Sequence, residues 1–465
     1  MRARLKTVSV LATFGLIAGL LGGVPAGADH DPQDDHSKNF KKLARVPIKI
    51  DKDLFAQGSD LAFKKKLLIA GSYEGTGIYK ILRRKPFIKQ LSFIPCAGGQ
   101  GDVSIHRNVV IVSVDSPRVG PSCKFEDSAP ASQDVHVAGE AWEGLRFISI
   151  RNPRRPKYIG AVDMPCGSHT HTLLPRKRKS LIYIESYPLG AQGQDCSIAS
   201  HRKIQIVQFP NSNPAQAKLL NKTIDISPMI GCHDVTTFPK KGIMFGACVN
   251  QSFIWDISGD PTEPELLSTI ENPNIQIHHS TAMTWDGKYL VLGDEYAGAT
   301  GPGGCDGDED STVGAAWFYD ITDPSNPVEV GHHALPRIPA GADNPDEAQR
   351  FRCTNHNFNV IPMKDKKKYW LAVSYYMGGI AVVDFSDPSD PTEIGHYVTS
   401  PGGINQDTWS AYWYNGRIYT NDHISRFGVG VYRFKGTGRR KAHFFRKTGL
   451  NPKGEMNPQV QIKNW

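Results

Sequence analysis

Beyond its first 28 residues, the chain has no apolar run long enough to span a bilayer and no segment with convincing helical periodicity. It also contains no nucleophile elbow, no phosphate-binding loop and no dinucleotide fingerprint. No block of Lys and Arg is combined with a helix or an aromatic ladder, which argues against a nucleic-acid partner. These absences argue against a helical membrane protein and against the common nucleotide-dependent enzymes.

The N-terminus is the one strongly apolar region. Residues 1–28 combine a basic start, an apolar run from Val8 to Val24 and a small-residue site ending at Ala28, which predicts a cleaved secretory signal peptide. An uncleaved membrane anchor is the alternative. Residues 29–37 follow as an acidic and polar linker. We therefore expect a secreted or cell-surface monomer with no membrane span after signal cleavage.

Cysteine is scarce, and no two cysteines have the tight CxxC spacing of a thiolate zinc site. In an exported chain, eight cysteines indicate disulfides, although the sequence alone does not fix their connectivity. Cys232 and Cys248 are the clearest pair, because they lie symmetrically about the turn at residues 239–242. The register of the repeats favours sequential pairing: Cys96–Cys123, Cys166–Cys196, Cys232–Cys248 and Cys305–Cys353.

A short phrase recurs along the chain. A β-branched and aromatic strand ends in Asp, a turn rich in Ser, Asp and Pro follows, and a second short strand comes next. The clearest copies have this Asp at Asp256, Asp320 and Asp384, and a degenerate copy covers residues 147–160. Asp and Ser can hydrogen-bond the turn backbone, while Pro fixes φ. Another hairpin precedes each copy, so each repeat contains four strands.

The repeats predict a closed circular fold. The last repeat has about three strands ending at Phe434, and the strand-like residues 43–50 can supply its missing outer strand. Closure by strands from both chain ends removes the open sheet edge. We predict an all-β fold, a seven-bladed β-propeller of four-stranded blades over residues 38–435, followed by a basic tail at residues 436–465. Its inner strands begin near Asp60, Asp102, His169, His233, His279, His356 and Trp409.

The phrase around Asp384, Val-Val-Asp-Phe-Ser-Asp-Pro-Ser-Asp-Pro-Thr-Glu-Ile-Gly, resembles the LVIVD repeat of bacterial and archaeal cell-surface proteins. The resemblance covers about residues 77–434, clearly in three repeats and loosely in four. It implies a secreted or surface-exposed propeller. The family has no general assigned activity, so the resemblance leaves the chemistry open.

Four histidines are the strongest functional signal. His169, His233, His279 and His356 fall at the same position at the start of four successive inner strands. Because the inner strands of a propeller surround its central channel, we expect these imidazoles to lie together at one channel mouth. Further channel or ligand candidates are Asp60, Asp102, His171, His278, Trp409 and His423.

Neutral imidazole is a ligand for zinc, copper, iron and nickel, and three His that leave an open position suit metal-assisted chemistry. The sequence therefore predicts one transition-metal ion, copper, zinc or iron. Asp234 and the pair Asp294 and Glu295 are candidates to accept the second ring N–H of a ligand His. A His that only hydrogen-bonds to neighbouring backbone in a polar channel is the alternative.

The His-rich strand starts are also similar to the more distant selenium-binding protein and methanethiol oxidase propellers, whose inward histidines are linked to copper. The cysteine motifs of that family have no convincing counterpart here, so the resemblance transfers no residue role. Two functions stay open. One is a binding propeller for a surface protein, a glycan or a small molecule. The other is a metal-dependent enzyme, oxidative or hydrolytic. A purely structural envelope protein would leave the histidine register unexplained.

Two weaker features have simpler explanations. The carboxylates of residues 301–311 can suggest calcium, but they lack EF-hand spacing, and a solvated loop fixed by Cys305 is favoured. The basic residues 176–179 can suggest a polyanion contact, but their position between two strand-like segments favours a solvated hairpin turn.

Overall fold

The computed structural model describes residues 34–132, 137, 139–188, 196–296, 304–305, 307–308, 310–339, 351–365, 367–400, 406–438, 444–445 and 449–451. The predicted signal peptide, the first part of the linker, part of the 301–311 loop and most of the basic tail lie outside the described residues.

Seven antiparallel blades follow one another along the chain, and the strands of each blade pair in sequence order. The chain begins with β1 (Asp35–His36), β2 (Phe40–Val46), β3 (Ile48–Lys49) and β4 (Phe55–Ala56). Blade 1 contains β5 (Gly58–Lys64), β6 (Leu67–Ser72), β7 (Gly75–Ile81) and β8 (Ile88–Pro95). Blade 2 contains β9 (Val103–His106), β10 (Val109–Arg118), β11 (Trp142–Ser149) and β12 (Lys157–Asp163). Blade 3 contains β13 (Thr170–Leu174), β14 (Lys179–Glu185), β15 (Lys203–Pro210) and β16 (Lys218–Asp225).

The remaining blades follow the same plan. Blade 4 contains β17 (Asp234–Phe238), β18 (Ile243–Cys248), β19 (Gln251–Asp256) and β20 (Glu265–Ile270). Blade 5 contains β21 (His278–Met283), β22 (Tyr289–Asp294), β23 (Ala316–Asp320) and β24 (Val328–His333). Blade 6 contains β25 (Phe358–Ile361), β26 (Trp370–Ser374), β27 (Ile380–Asp384) and β28 (Thr392–Val398). Blade 7 contains β29 (Thr408–Tyr414), β30 (Arg417–Asp422) and β31 (Val429–Phe434).

The N-terminal strand closes the ring, as predicted. β2 pairs with β31 as the outer strand of blade 7, and β1 adds to the outer edge of blade 6. The closing strand differs from the predicted residues 43–50, because it starts at Phe40 and ends at Val46. Pro47 explains this end, since proline has no N–H to donate to the ladder. Ile48 and Lys49 instead pair with β4 in a separate ribbon.

Helix is confined to short turns in the described part of the chain. α1 (Phe125–Ser128) and α2 (Lys435–Gly438) have one turn each, and the 3-10 turns are Ile198–His201 and Pro214–Gln216. A two-residue strand of the tail, β32 (Gly449–Leu450), pairs with the inner strand of blade 1.

The recurring Asp acts as the sequence suggests. The Oδ1 atoms of Asp256, Asp320 and Asp384 each accept the backbone N–H two residues ahead, at 2.6, 2.9 and 2.9 Å. These Asx turns connect the third strand of each blade to the fourth. Between blades, the core is aliphatic and aromatic, and Trp255, Trp285, Trp317 and Trp413 are among its largest fully buried side chains.

All four predicted disulfides are present: Cys96–Cys123, Cys166–Cys196, Cys232–Cys248 and Cys305–Cys353. Each lies on loops or strand ends at the face where the inner strands begin. Disulfides persist in oxidising compartments, so these four indicate a protein that functions outside the cytoplasm. Within the described part of the chain, no helix has the length and apolar character needed to cross a membrane.

Candidate metal centre at the channel mouth

Four imidazoles form a continuous row at one end of the channel. His169, His233 and His356 directly precede or lie just before their inner strands, and His279 is the second residue of β21. All four side chains are buried. Ring centroids are 4.6 Å apart for His169 and His233, 3.8 Å for His233 and His279, and 4.5 Å for His279 and His356. The repeat register therefore brings the four rings into direct contact.

The Nδ1 atoms of three of these rings are held from outside the row. Nδ1 of His169 lies 2.8 Å from Asp115 Oδ2, and Nδ1 of His233 lies 3.2 Å from Asp234 Oδ1. Nδ1 of His356 donates to the backbone carbonyl of Trp409. A carboxylate or carbonyl only accepts, so each of these Nδ1 atoms carries the proton. In a neutral ring, Nε2 is then a lone-pair donor directed into the row.

The inward nitrogens meet each other and one carboxylate. Nε2 of His169 lies 3.0 Å from Nε2 of His233. Glu295 is between the other two rings, with its oxygens 3.6 Å from Nε2 of His279 and 3.5 Å from Nε2 of His356. Ligand atoms of His233, Asp234 and His279 lie within 4.8 Å of one another, as do those of His279, Glu295 and His356. Two overlapping donor sets therefore share His279.

Glu295 is the acidic centre of this site. Burial raises the pKa of its carboxyl to about 7, while a hydrogen bond from the Tyr376 hydroxyl, at 2.5 Å, acts in the opposite direction. Burial, together with Glu295, raises the pKa of Tyr376 well above its ordinary value. The Tyr376 hydroxyl thus stays protonated at neutral pH and donates to Glu295.

A second ring of side chains surrounds the row. It comes from positions at or near the ends of the second strands, on every blade except blade 4: Tyr73, Asp115, Tyr187, Glu295, Tyr376 and His423. Tyr187 lies with its ring centroid 4.8 Å from that of His169 and 5.2 Å from that of His233. Burial raises the pKa of Tyr187 well above its ordinary value, so it too is a protonated hydroxyl.

Trp409 and His423 continue the row on blade 7. The Trp409 ring is 4.7 Å from His356 and is stacked on His423 at 5.6 Å, and Tyr73 contacts both side chains. Burial lowers the pKa of His423, which favours its neutral form. Trp409 and His423 therefore lie next to the end of the histidine row.

The other sequence candidates, Asp60, Asp102, His171 and His278, contact residues outside the histidine row. Asp60 accepts the Tyr412 hydroxyl at 2.6 Å. Asp102 Oδ2 accepts the backbone N–H of His171 at 3.0 Å, and the His171 ring is held between Ser104 and Ser113 at 2.7 and 2.8 Å. The ring of His278 points away from the row to Ser252 at 2.8 Å, and burial lowers its pKa to about 4.

Sequence reasoning missed several members of the site. Asp115, the three tyrosines of the second ring and Arg352 were not predicted. The Nε atom of Arg352 lies 3.1 Å from Asp407 Oδ1, and its guanidinium covers the Tyr376 ring at 4.3 Å. The signal for the second ring was present, because the ends of the second strands align in the same way as the starts of the first. Arg352 lies in a loop that no other repeat matches.

A third group of potential ligands lies nearby and is already occupied. Cys166, Cys196 and His201 bring their donor atoms within 4.8 Å of one another. Both sulfurs belong to the Cys166–Cys196 disulfide. Disulfide sulfur is not a thiolate, so this group is no metal site while the bond is intact.

Fold and site together define a seven-bladed β-propeller with a histidine-lined channel mouth. Within that class, the family model of the LVIVD repeat matches residues 373–399, which confirms the predicted resemblance in blade 6. No curated protein matches the chain by sequence.

Several solved structures are similar to the chain at low sequence identity. The periplasmic gluconolactonase of Pseudomonas aeruginosa is 11% identical, with 84% of this chain and 98% of that chain covered and a TM-score of 0.48. A hypothetical selenium-binding protein from Sulfolobus tokodaii is 10% identical, with 79% and 83% covered and a TM-score of 0.46. A protein from Lactobacillus plantarum is 11% identical, with 80% and 94% covered and a TM-score of 0.47.

Proposed function

We propose that this protein is a secreted propeller that binds one transition-metal ion at its channel mouth and uses the metal to hold a small ligand. The observation that carries the proposal is the convergence of inward nitrogens. His169 and His233 direct two Nε2 atoms at each other across 3.0 Å while their Nδ1 atoms are engaged by carboxylates. Two lone pairs at this distance repel, and a cation removes that repulsion, either a metal ion bound by both nitrogens or a proton on one of them.

The distances suit a metal of the first transition series. Bonds of about 2.0–2.1 Å from Zn to His nitrogen place two ligands on one ion roughly 3.0–3.4 Å apart. Glu295 adds two oxygen donors, Oε2 at 3.6 Å from Nε2 of His279 and Oε1 at 3.5 Å from Nε2 of His356. An imidazole and carboxylate set favours zinc, copper or iron over calcium or magnesium.

The outer partners also have the form expected around a metal. A ligand His usually donates its second N–H to a carboxylate or a backbone carbonyl, which fixes its orientation. Asp115, Asp234 and the carbonyl of Trp409 fill this role for three of the four rings. When bound, the metal would supply an electrophilic centre, while Tyr187 would offer a protonated hydroxyl to its ligand.

A metal-dependent enzyme, hydrolytic or oxidative, is the second candidate function. It is favoured by the polar second ring, because Tyr73, Tyr187, Tyr376 and His423 put several hydroxyl and imidazole groups beside the row instead of an apolar wall. A spectroscopic probe separates the two. With Co²⁺ in the site, a ligand that changes the visible spectrum and is recovered intact supports binding, whereas its consumption supports an enzyme.

Metal analysis tests the proposal directly. Mature protein (residues 29–465) supplied with zinc, copper and iron should retain about one equivalent of one metal after desalting. His233→Ala and His279→Ala should each reduce that occupancy, whereas His201→Ala, a matched buried histidine beside a disulfide, should not. Retention of less than about a tenth of an equivalent, or equal losses in all three variants, would contradict the proposal.

A further inference from the structure

A basic cleft lies on the outside of the propeller, at the seam where the two ends of the chain meet. Its volume is about 540 Å³. Its lining residues are His36, Lys38, Asn39, Phe40, Lys41, Lys42, Tyr397, Arg433 and Lys435. The lining includes five Lys and Arg side chains and no carboxylate.

In the part of the chain that the structure describes, one of the five cations has an ion-pair partner. Lys42 forms an ion pair with Asp34, which also accepts the Tyr397 hydroxyl. Among the described residues, Lys38, Lys41, Arg433 and Lys435 form no ion pair. Lys38, Lys41 and Lys435 are exposed, and Arg433 is half-buried.

The closing strands force two of these charges together. In the pairing of β2 with β31, Lys41 lies directly opposite Arg433. Like charges opposite each other destabilise a sheet. The Arg433 Nε atom is also buried and has no hydrogen-bond partner among the described residues. A bound anion would relieve both the repulsion and the buried donor.

The backbone holds the cations in fixed places. The N–H of Lys435 donates to the carbonyl of Asn39 at 2.8 Å. The Asn39 side chain donates to the carbonyl of Ile394 at 2.8 Å and accepts the Ser37 hydroxyl at 2.6 Å. Cations from β2, β31 and α2 are therefore tied to one rigid seam.

We propose that this cleft binds an anionic polysaccharide, a sugar chain that carries carboxylate, sulfate or phosphate groups. Three of these cations lie on β2, β31 and α2, and Lys38 lies in the turn before β2. Four cations spread in this way suit a repeating charge better than a single small anion. His36 is exposed and lies flat on Tyr397, with ring centroids 4.9 Å apart and planes 6° from parallel, which offers a sugar ring a flat aromatic surface. The four disulfides place the protein outside the cytoplasm, where such polymers occur and nucleotides are scarce.

An anionic membrane surface is the less favoured occupant. Peripheral membrane binding combines basic residues with apolar side chains that enter the lipid. Among the described residues, the exposed large hydrophobic side chains lie elsewhere, and none lines the cleft.

Fluorescence anisotropy of the mature chain with a labelled oligogalacturonate tests the proposal. Binding should be measurable at low salt, should weaken as salt rises to physiological strength, and should not occur with a neutral maltooligosaccharide of the same length. Lys41→Gln combined with Arg433→Gln should weaken it about tenfold or more. A second pair, Lys38→Gln with Lys435→Gln, alters only exposed side chains and should also weaken it.

The chain offers a matched control. Lys177→Gln combined with Arg178→Gln removes the same charge from an exposed turn on another blade and should change the affinity less than about twofold. If the control pair weakened binding equally, the affinity would depend on the net charge of the protein and not on the cleft, which would overturn the proposal. Absence of binding at low salt, or cleft-dependent binding to phosphatidylglycerol vesicles in place of the oligosaccharide, would overturn it as well. A chelator should leave the binding unchanged, which separates this cleft from the proposed metal centre.

Discussion

Asp115 provides a demanding test of the metal centre, because it acts on the metal only through a histidine. Both of its oxygens are in use: Oδ2 accepts Nδ1 of His169 at 2.8 Å, and Oδ1 accepts the backbone N–H of Gln100 at 3.1 Å. Asp115→Asn replaces one acceptor by an NH₂ group, which must then face an N–H. If it faces His169, the ring relieves the clash by moving its proton to Nε2, the atom proposed to bind the metal.

The size of the effect follows from ligand linkage. Loss of an outer partner of a ligand His typically weakens metal affinity by about 10–100-fold. At a metal concentration of about 1,000 Kd, binding stabilises the wild type by about 4.1 kcal/mol, and the same metal concentration stabilises the variant by only about 1.4–2.7 kcal/mol. A folded unit of roughly 400 residues unfolds with an entropy of about 0.8 kcal/mol/K. The metal should therefore raise Tm by about 5 °C in the wild type and by about 2–3 °C in Asp115→Asn.

The assay is differential scanning calorimetry with and without metal, and the quantity compared is the metal-induced shift of each variant. Because each variant is compared with and without metal, any loss of stability that the substitution causes in the metal-free protein cancels. Asp102→Asn is the matched control, because Asp102 is a buried carboxylate beside His171, two residues after His169 in the chain. Its shift should equal that of the wild type. An unchanged shift in Asp115→Asn, or the same loss in both variants, would refute the reasoning.

Two further predictions concern stability. Burial lowers the pKa of His333 to about 4, so its neutral form contributes stability that is complete above about pH 6.5 and is lost as the pH falls toward 4. At 1.36 kcal/mol per pKa unit, this contribution to the free energy of unfolding is about 3 kcal/mol. His333→Gln should therefore reduce the pH dependence of the unfolding free energy between about pH 6.5 and 4, measured by urea unfolding. An unchanged pH dependence would contradict the prediction. Removal of the Cys232–Cys248 bond by double Ser substitution opens a short loop and should cost about 3 kcal/mol, seen as a lower urea midpoint, and a midpoint equal to that of the wild type would argue against it.

The sequence was a good guide wherever one physical rule repeats along the chain. The Asp of each repeated turn accepts a hydrogen bond from the backbone N–H two residues ahead. The turns of three repeats could therefore be predicted from Asp256, Asp320 and Asp384 alone. The four histidines share one register because the inner strands do. The closing strand was predicted correctly, but its end was not, because Pro47 was not recognised as the residue that ends it.

The rest of the site depends on contacts between blades that are far apart in sequence. Asp115 belongs to blade 2 and holds a histidine of blade 3, and Glu295 of blade 5 reaches a histidine of blade 6. Arg352 and Asp407 meet from loops 55 positions apart. A strand pattern predicts which residues share a level of the channel. It does not predict which side chain of one blade contacts a given histidine of the next, because these contacts differ from blade to blade.

Comparison with His171 shows why hydrogen bonding within the protein alone does not explain the arrangement of the four-histidine row. Nδ1 of His171 lies 2.8 Å from the Ser113 hydroxyl and 3.1 Å from Asp102 Oδ2, and its Nε2 lies 2.7 Å from the Ser104 hydroxyl. Because the Ser104 hydroxyl can donate to Nε2 while Nδ1–H donates outward, a neutral ring is fully satisfied there. The row lacks this adaptability. Its outer partners are carboxylates and a carbonyl, which fix the proton outward, and its inner partners are other imidazoles and Glu295. Nε2 of His169 and Nε2 of His233 then face each other inside the row, and a bound cation satisfies both.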